Sequence, residues 1–257
     1  MQISTDLRLA VLIDADNIPY SNVKGMLEEI AKYGTPTFKR IYGDWTKPTI
    51  AGWKSVLLEN AITPIQQYSY TRGKNSTDSA LIIDAMDILY SGKIDGFCIV
   101  SSDSDFTRLA TRLREAGMKV IGIGERKTPY PFIVACDKFI YLEIITPSVA
   151  SPEPAKETRK SGKPIVKKKK VENPDIQADT RVVKRLIASS ITDLADDNGW
   201  AYLGDVGNLI LKKQPDFDPR NFGFPKLTPL IKSLEFEIDE RESGQNHIKH
   251  IYIRNRK

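Results

Sequence analysis

Apolar positions in the first half of the chain come in two alternating patterns. Apolar runs occur at 8–14 (RLAVLID) and 97–100 (FCIV), and further strand-like or extended segments at 36–42 (PTFKRIY), 62–70 (ITPIQQYSY), 119–123 (KVIGI) and 139–144 (FIYLEI). These read as buried strands. Between them, Asn22–Tyr33 carries Val23, Met26, Leu27 and Ile30 at helical spacing, and Trp53–Asn60, Ser79–Tyr90 and Phe106–Ala116 follow the same period. Strands alternating with helices predict a parallel α/β sheet with helices on both faces. In such sheets ligands gather beyond the carboxyl ends of the strands, and Asp14, Asp16, Asp103 and Asp105 are all expected there.

The pattern breaks at 147–175, a stretch rich in Pro, Ser, Glu and Lys and nearly devoid of large apolar groups. It reads as a linker. A second amphipathic pattern starts near Thr180 with Val182, Val183, Leu186, Ile187 and Ile191 at helical spacing, and stops at Asn198-Gly199. Short helices are expected at Val206–Leu211 and Pro225–Leu234. A terminal hairpin should pair Phe236–Ile238 with Ile251–Ile253. The expected organisation is therefore an α/β domain over 1–146, a linker over 147–178, and a small winged-helix-like α+β domain over 179–257.

Composition narrows the chemistry. No apolar run reaches the roughly 20 residues that span a bilayer, and the start MQISTDLR lacks a secretory pattern, so a cytoplasmic protein with no membrane partner is expected. The only cysteines, Cys98 and Cys136, lie in apolar contexts, and the only histidines are His247 and His250. A structural zinc site is excluded on ligand supply, and any metal must be held by oxygen. Basic and acidic residues balance at 17 each over 1–150, whereas 151–180 has 8 against 5 and includes the run Lys167–Lys170. Such a run fits either a solubilising linker or an arm drawn to phosphate polymers.

Position separates the informative acids from ordinary surface ones. Asp14 ends the first apolar run, and Asp103 follows the fourth after Ser101 and Ser102. LIDADN and SSDSDF each supply an Asp-x-Asp pair at a strand end, and Asp78 opens the apolar helix, where the helix dipole alone would also favour an acid. Carboxylates crowded together raise one another's pKa unless a cation neutralises them. Mg²⁺ or Mn²⁺ suits that need, because each binds through one or two carboxylates plus substrate phosphate and can activate water for phosphodiester hydrolysis. Asn17 can aim its amide at phosphate or cap the next helix. Ser101 and Ser102 can bind phosphate or cap the helix that follows. Asp84, six residues and roughly 240° beyond Asp78 on an ideal helix, gets a supporting role with Asp16, and Asp87 reads as a solvated acid.

LIDADN, KNSTDSALIIDAMD and IVSSDSDF, in that order and followed by VIGIG, resemble the NYN family of PIN-like nucleases over about 8–145. That resemblance implies a Rossmann-like PIN fold and metal-dependent RNA cleavage, with Asp14, Asp78, Asp103 and Asp105 as the acidic site and Asn17 matching the Asn after the first strand. Lys74 stands near Asp78 as a candidate phosphate contact. The approach departs from the common Lys-Gly-x-Asp, since Asn75, Ser76 and Thr77 intervene. The later segment from WAYLGDVGNLILKKQPDFDPRNFGFPK to HIKHIYIR is similar to OST-HTH, or LOTUS, domains, which implies RNA binding or protein docking. Lys212, Lys213, Arg220 and Lys226 are its candidate phosphate contacts, although Arg220 can instead brace its turn through Asp216 or Asp218. Trp200, Tyr202, Phe217, Phe222 and Phe224 read first as core. The resemblance also implies that the nuclease domains can pair as a homodimer.

Together these observations imply a Mg²⁺- or Mn²⁺-dependent endoribonuclease with a C-terminal RNA-binding or docking domain. Two other classes stay open at this point. A haloacid-dehalogenase-type phosphatase also starts from Asp-x-Asp but needs a later strand-end Lys that the sequence does not supply. A non-catalytic RNA-binding scaffold would have a decayed acidic set.

Overall fold

A computed structural model describes residues 6–68, 76–145, 174–243 and 248–256. It divides into two compact units, one formed by Met1–Pro147 with Leu211–Phe217 and the other by Ser148–Ile210 with Asp218–Lys257.

The first unit is built on six parallel strands: β1 (Arg8–Asp14), β2 (Thr35–Gly43), β3 (Thr63–Gln66), β4 (Gly96–Val100), β5 (Lys119–Gly124) and β6 (Lys138–Tyr141). Their order across the sheet is β3-β2-β1-β4-β5-β6. The chain runs outward from β1 to β3, then returns across α3 (Ser76–Tyr90) to place β4 on the other side of β1. The direction of winding reverses between β1 and β4, so their carboxyl ends splay apart and leave a crevice. Register pairs Ile13 with Val100 across that gap and Asp14 with Tyr42 on the other flank.

Both faces of the sheet are covered, which explains why β1 and β4 are continuous apolar runs. Leu9, Val11 and Ile13 pack with Met26 and Ile30 of α1 (Val23–Ile30) and with Ile50 and Trp53. Ala10 and Leu12 face the other way, against Leu81, Ala85 and Ile88 of α3 and Leu109 and Leu113 of α4 (Thr107–Glu115). Asp14 continues the second parity, so its carboxylate emerges on the α3 and α4 side of the sheet. The amino end of β1 is fixed by Asp95, which accepts hydrogen bonds from the Arg8 backbone N–H at 2.8 Å and its guanidinium at 2.9 Å. That guanidinium pulls the Asp95 carboxyl down to about 2.

Most of this architecture matches the sequence reading, with three differences. The helix expected over Trp53–Asn60 is mostly a 3₁₀ segment, Pro48–Trp53, followed by only a short α2 (Lys54–Leu57). Pro48 starts it and Gly52 lets it approach Tyr20 closely: a Cβ at Gly52 would lie 2.5 Å from the Tyr20 ring. A helix α5 (Tyr130–Ala135), absent from the elements expected above, lies between β5 and β6 and hides Phe132 and Ile133 against the sheet. Its six residues are too few to show a period, and Pro129 and Pro131 mask it further. Of the segment 62–70, β3 takes only Thr63–Gln66, and residues 69 and 70 lie outside the described residues.

Cys98 on β4 and Cys136 after α5 are both buried and free. Burial pushes the Cys98 thiol far above the ordinary range, and burial with nearby Asp137 pushes Cys136 up to about 12.

The second unit contains α6 (Pro174–Leu194), α7 (Leu203–Lys213) up to Ile210, and α8 (Leu227–Ser233). An antiparallel sheet of order β7-β9-β8 completes it, formed by β7 (Ala201–Tyr202), β8 (Glu237–Ser243) and β9 (Ile248–Arg254). Three helices and a small sheet give the expected winged-helix-like domain, with α6 starting several residues before the expected Thr180. Val183, Ile187, Ile191, Val206, Ile210, Leu230 and Ile253 are buried. Trp200 and Tyr202 correct the expectation of core packing. Both lie on the sheet's outer face, where the Arg241 and Arg254 guanidiniums stack over Trp200 and the Tyr202 ring meets those of His250 and Tyr252. Phe217 is buried as expected.

Candidate functional site

The site grows from the end of β1. Asp14 is 1% exposed, yet its carboxylate has three donors: the Asp16 backbone N–H at 3.1 Å, the Asn17 Nδ2 at 2.6 Å and the Ser101 Oγ at 2.9 Å. Burial raises the Asp14 carboxyl above its ordinary value, and those three hydrogen bonds pull against it. The sequence folds this way because β1 and β4 end together, which brings Ser101 under Asp14. Ser101 Oγ also accepts from the Asp103 N–H at 3.1 Å, so one hydroxyl ties the two strand ends together.

Beyond Ser101 the chain turns into a short 3₁₀ helix, Ser104–Phe106, capped by the Asp103 side chain accepting from the Asp105 N–H at 2.9 Å. This turn carries Asp103 and Asp105 across to the first turn of α3, where Asp78 sits. Carboxylate oxygens of Asp78, Asp103 and Asp105 lie within 4.8 Å of one another. A first-turn acid is normally favoured by the helix dipole. Asp78 instead rises to about 6, first through burial and then through the negative charges of Asp14, Asp103, Asp105 and Asp16. Desolvation and crowding outweigh the dipole, and Asp14 is the largest of the charges.

The structure therefore brings Asp78, Asp103 and Asp105 together as a triad and sets Asp14 beneath them, locked by its donors. Asn17 lies next to Asp14, with its amide committed to that carboxylate. Asp16 flanks the group and pairs with Lys47 at 3.7 Å. Ser101 and Ser102 differ from the phosphate-binding expectation. Ser101 is fully buried and committed to Asp14 and Asp103, while Ser102 accepts from the Glu125 N–H at 2.9 Å and so ties β4 to the end of β5. Asp84 also corrects the expectation: its carboxylate binds Arg40 and the Tyr42 hydroxyl, both on β2, and none of the four acids. Lys74 lies outside the described residues.

Sequence reading missed two supports. Gly124 ends β5 so close to β4 that a Cβ there would lie 2.6 Å from the Ser101 carbonyl oxygen and 2.7 Å from Thr128 Oγ1. The Gly-x-Gly of VIGIG carried that signal. Asp44, buried at the end of β2, accepts from Thr46 Oγ1 at 2.6 Å and Gln66 Nε2 at 3.1 Å and fixes the neighbouring loop.

In the second unit Arg220 is held by Asp218, with Nη2 at 2.7 Å and Nε at 3.0 Å, so it braces its turn in the manner of the alternative reading. Lys212 and Lys213 close α7 and Lys226 precedes α8, all exposed.

The NYN domain model matches residues 8–143, which includes every strand of the parallel sheet and all four acids. The chain belongs to the NYN family. Its second unit matches the OST-HTH/LOTUS domain over residues 174–248. Among solved structures, the chain is similar to a protein of unknown function from Vibrio parahaemolyticus at 21% identity and a TM-score of 0.44, covering 54% of this chain and 94% of that one. It is also similar to an uncharacterised protein from Nitrosomonas europaea at 29% identity and a TM-score of 0.27, covering 42% and 90%. No curated protein matches. The NYN domain points to a PIN-like nuclease, and the OST-HTH/LOTUS domain points to RNA. Among the described residues no helix is long and apolar enough to cross a membrane.

Proposed function

We propose that this NYN protein is a Mg²⁺- or Mn²⁺-dependent ribonuclease that hydrolyses phosphodiester bonds within RNA strands in the cytoplasm. Its OST-HTH/LOTUS domain adds contacts to RNA or to a protein partner. We take 1–146 as the nuclease domain, and extend the OST-HTH/LOTUS domain expected over 179–257 back to the start of α6 at Pro174. The observation that carries the proposal is the convergence of Asp78, Asp103 and Asp105 above a buried Asp14.

The donor set fits a hard divalent ion. All three converging groups are carboxylates whose oxygens lie within 4.8 Å of one another, and a hard divalent ion takes oxygen ligands of this kind. Asp78, Asp103 and Asp105 would hold it, with Asp14 adding charge from below. When bound, such an ion supplies an activated water and charge neutralisation at the scissile phosphate. The protein's own part is placement. Asn17, Ser101 and the Asp16 N–H keep the Asp14 carboxylate from turning. The Asp103 cap on Asp105 N–H fixes the second strand end, so the site forms without reorganisation.

Labelled RNA incubated with Mg²⁺ or Mn²⁺ should be cut internally, and chelator or Asp103→Asn should stop the reaction. Cleavage that survives both changes would remove the proposal, and turnover of a small phosphomonoester in place of RNA would favour a phosphatase. Replacing Lys212, Lys213 and Lys226 together with alanine should flatten the salt dependence of RNA affinity, by about 0.7 in the log–log slope for each phosphate that no longer meets a lysine. An unchanged slope would assign the second unit to protein contacts.

The acid cluster also makes stability depend on pH in a set direction. Asp78 has a folded-state value of about 6, above its ordinary 3.8, so its ionised form opposes folding. That cost is absent below pH 3.8, grows through the interval to about 6 and is complete above it. Asp14 acts in the same sense. Asp95 has the opposite sign, but its contribution is lost only as pH falls below 3.8, so the two windows do not overlap. In chelator the melting temperature should therefore fall from pH 4.5 to 7, and Mg²⁺ should restore it at pH 7 but not at pH 4.5. A rising or flat profile in chelator would contradict the crowding of these acids.

A further inference from the structure

The acid cluster occupies only one side of the β1 and β4 strand ends. On the other side, over the face packed by α1, lies a cleft of about 440 Å³. Its walls are the loop after β1, the Pro48–Trp53 segment and the loop after β5. Asp16 and Asn17 line it, so the cleft begins at the residues that hold Asp14. Ile18, Ile50 and Trp53, all nearly buried, form an apolar floor. Tyr20 is 48% exposed, and its ring lies against the Gly52 backbone, where any side chain at 52 would displace it. Lys127 reaches the cleft from the β5 loop, paired with Glu125, which also lines it, and Lys47 stands nearby, paired with Asp16; each lysine would exchange its carboxylate for an RNA phosphate.

We propose that this cleft seats one unpaired nucleobase of the RNA strand whose phosphate is cut at the neighbouring acids, an inference that rests on the ribonuclease reading. The volume is near the low end of ligand clefts, which run from about 300 to 1,000 Å³. It has room for a nucleoside. An aromatic ring standing at an apolar slot, with Thr49 and Asn17 offering polar edges, is the chemistry that recognises a base face and rim. The two lysines are suited to the phosphates on either side. A strand crossing the carboxyl edge of the sheet at the β1–β4 crevice would put its phosphate on the acid side and its base on the cleft side. A paired base brings its partner and its stacked neighbours with it, so only single-stranded or locally opened RNA can be accommodated. The cleft thus selects for single strands.

The test uses the full chain carrying Asp103→Asn, so that binding is read without cleavage. Affinity is measured for a short single-stranded RNA and for a blunt-ended RNA duplex of equal charge. A 4-thiouridine placed next to the scissile position is also photocrosslinked and the labelled peptide identified. Tyr20→Ala should weaken single-strand binding about 10-fold, the loss of one base–aromatic stack, and leave duplex binding unchanged. Tyr20→Phe should restore it. The crosslink should fall on the peptide containing Tyr20 or Trp53. Equal loss for both RNAs, no loss for either, or a crosslink confined to residues 174–256 would overturn the proposal. Failure of the wild-type protein to cut RNA would sink the ribonuclease reading separately, because none of these binding measurements requires cleavage.

Discussion

Asp78→Asn is expected to lower RNA cleavage by more than 100-fold while making the metal-free protein more stable. The two effects have one cause. Asp78 is half-buried among Asp14, Asp103 and Asp105, and that environment pushes its carboxyl to about 6. At pH 7.5 the folded protein holds a charge it would rather lose, and a shift of this size corresponds to about 2 kcal/mol after allowance for solvent screening. Asparagine removes the charge and keeps the shape. The same change deletes one of three converging oxygen ligands, and loss of a mere outer-shell partner already costs about 10–100-fold in metal sites. Thermal unfolding in chelator and single-turnover cleavage in Mg²⁺ measure the two halves. A destabilised variant would mean Asp78 is held by favourable contacts, and an active one would remove it from the metal set. Sites that trade stability for function commonly behave in this way.

The second large effect is expected at a residue with no chemistry of its own. Gly124→Ala should destabilise the NYN unit by about 1–3 kcal/mol, the usual cost of overpacking, and reduce cleavage as well. The added methyl would meet the Ser101 carbonyl at 2.6 Å, and backbone cannot swing aside as a side chain can. Moving Ser101 releases the hydroxyl that holds Asp14 and the acceptor that holds the Asp103 N–H. By contrast, Gly117→Ala is strained only by its positive φ of 80°, with open space around it, and should affect stability without touching turnover. If Gly124→Ala lost stability but kept full activity, Ser101 would not be the brace between the strand ends.

How far the site could be read in advance depended on how local each signal was. Asp14 and Asp103 stood out because a buried parallel strand is an unbroken apolar run, and the acid at its end is visible in the sequence itself. Asp78 was legible from its place at the start of the apolar helix but ambiguous there, since a first-turn acid is common on helices, and the family resemblance strengthened it. Asp84 shows the limit clearly. Helical geometry rightly took it off the Asp78 stripe, but its true partners, Arg40 and Tyr42, lie about forty residues away on β2, and no local pattern announces them. The Ser101 hydroxyl was similar: a strand-end serine can cap, bind phosphate or brace a carboxylate, and only the neighbouring strand decides which. Ala61 and Glu235 adopt positive φ without being glycine, so no residue type marked those turns. The fold class and layer order needed nothing beyond periodicity.

The placement of the two cysteines has a practical consequence. Both thiols are sealed inside the NYN unit, with their ionised forms suppressed by burial, and the chain contains no others. A thiol reagent added to the native protein therefore has nothing to attack until that unit opens. The rate at which label accumulates becomes a clock for the opening of the unit that holds them, and a cysteine introduced on the surface can carry a fluorophore without first removing the natural pair.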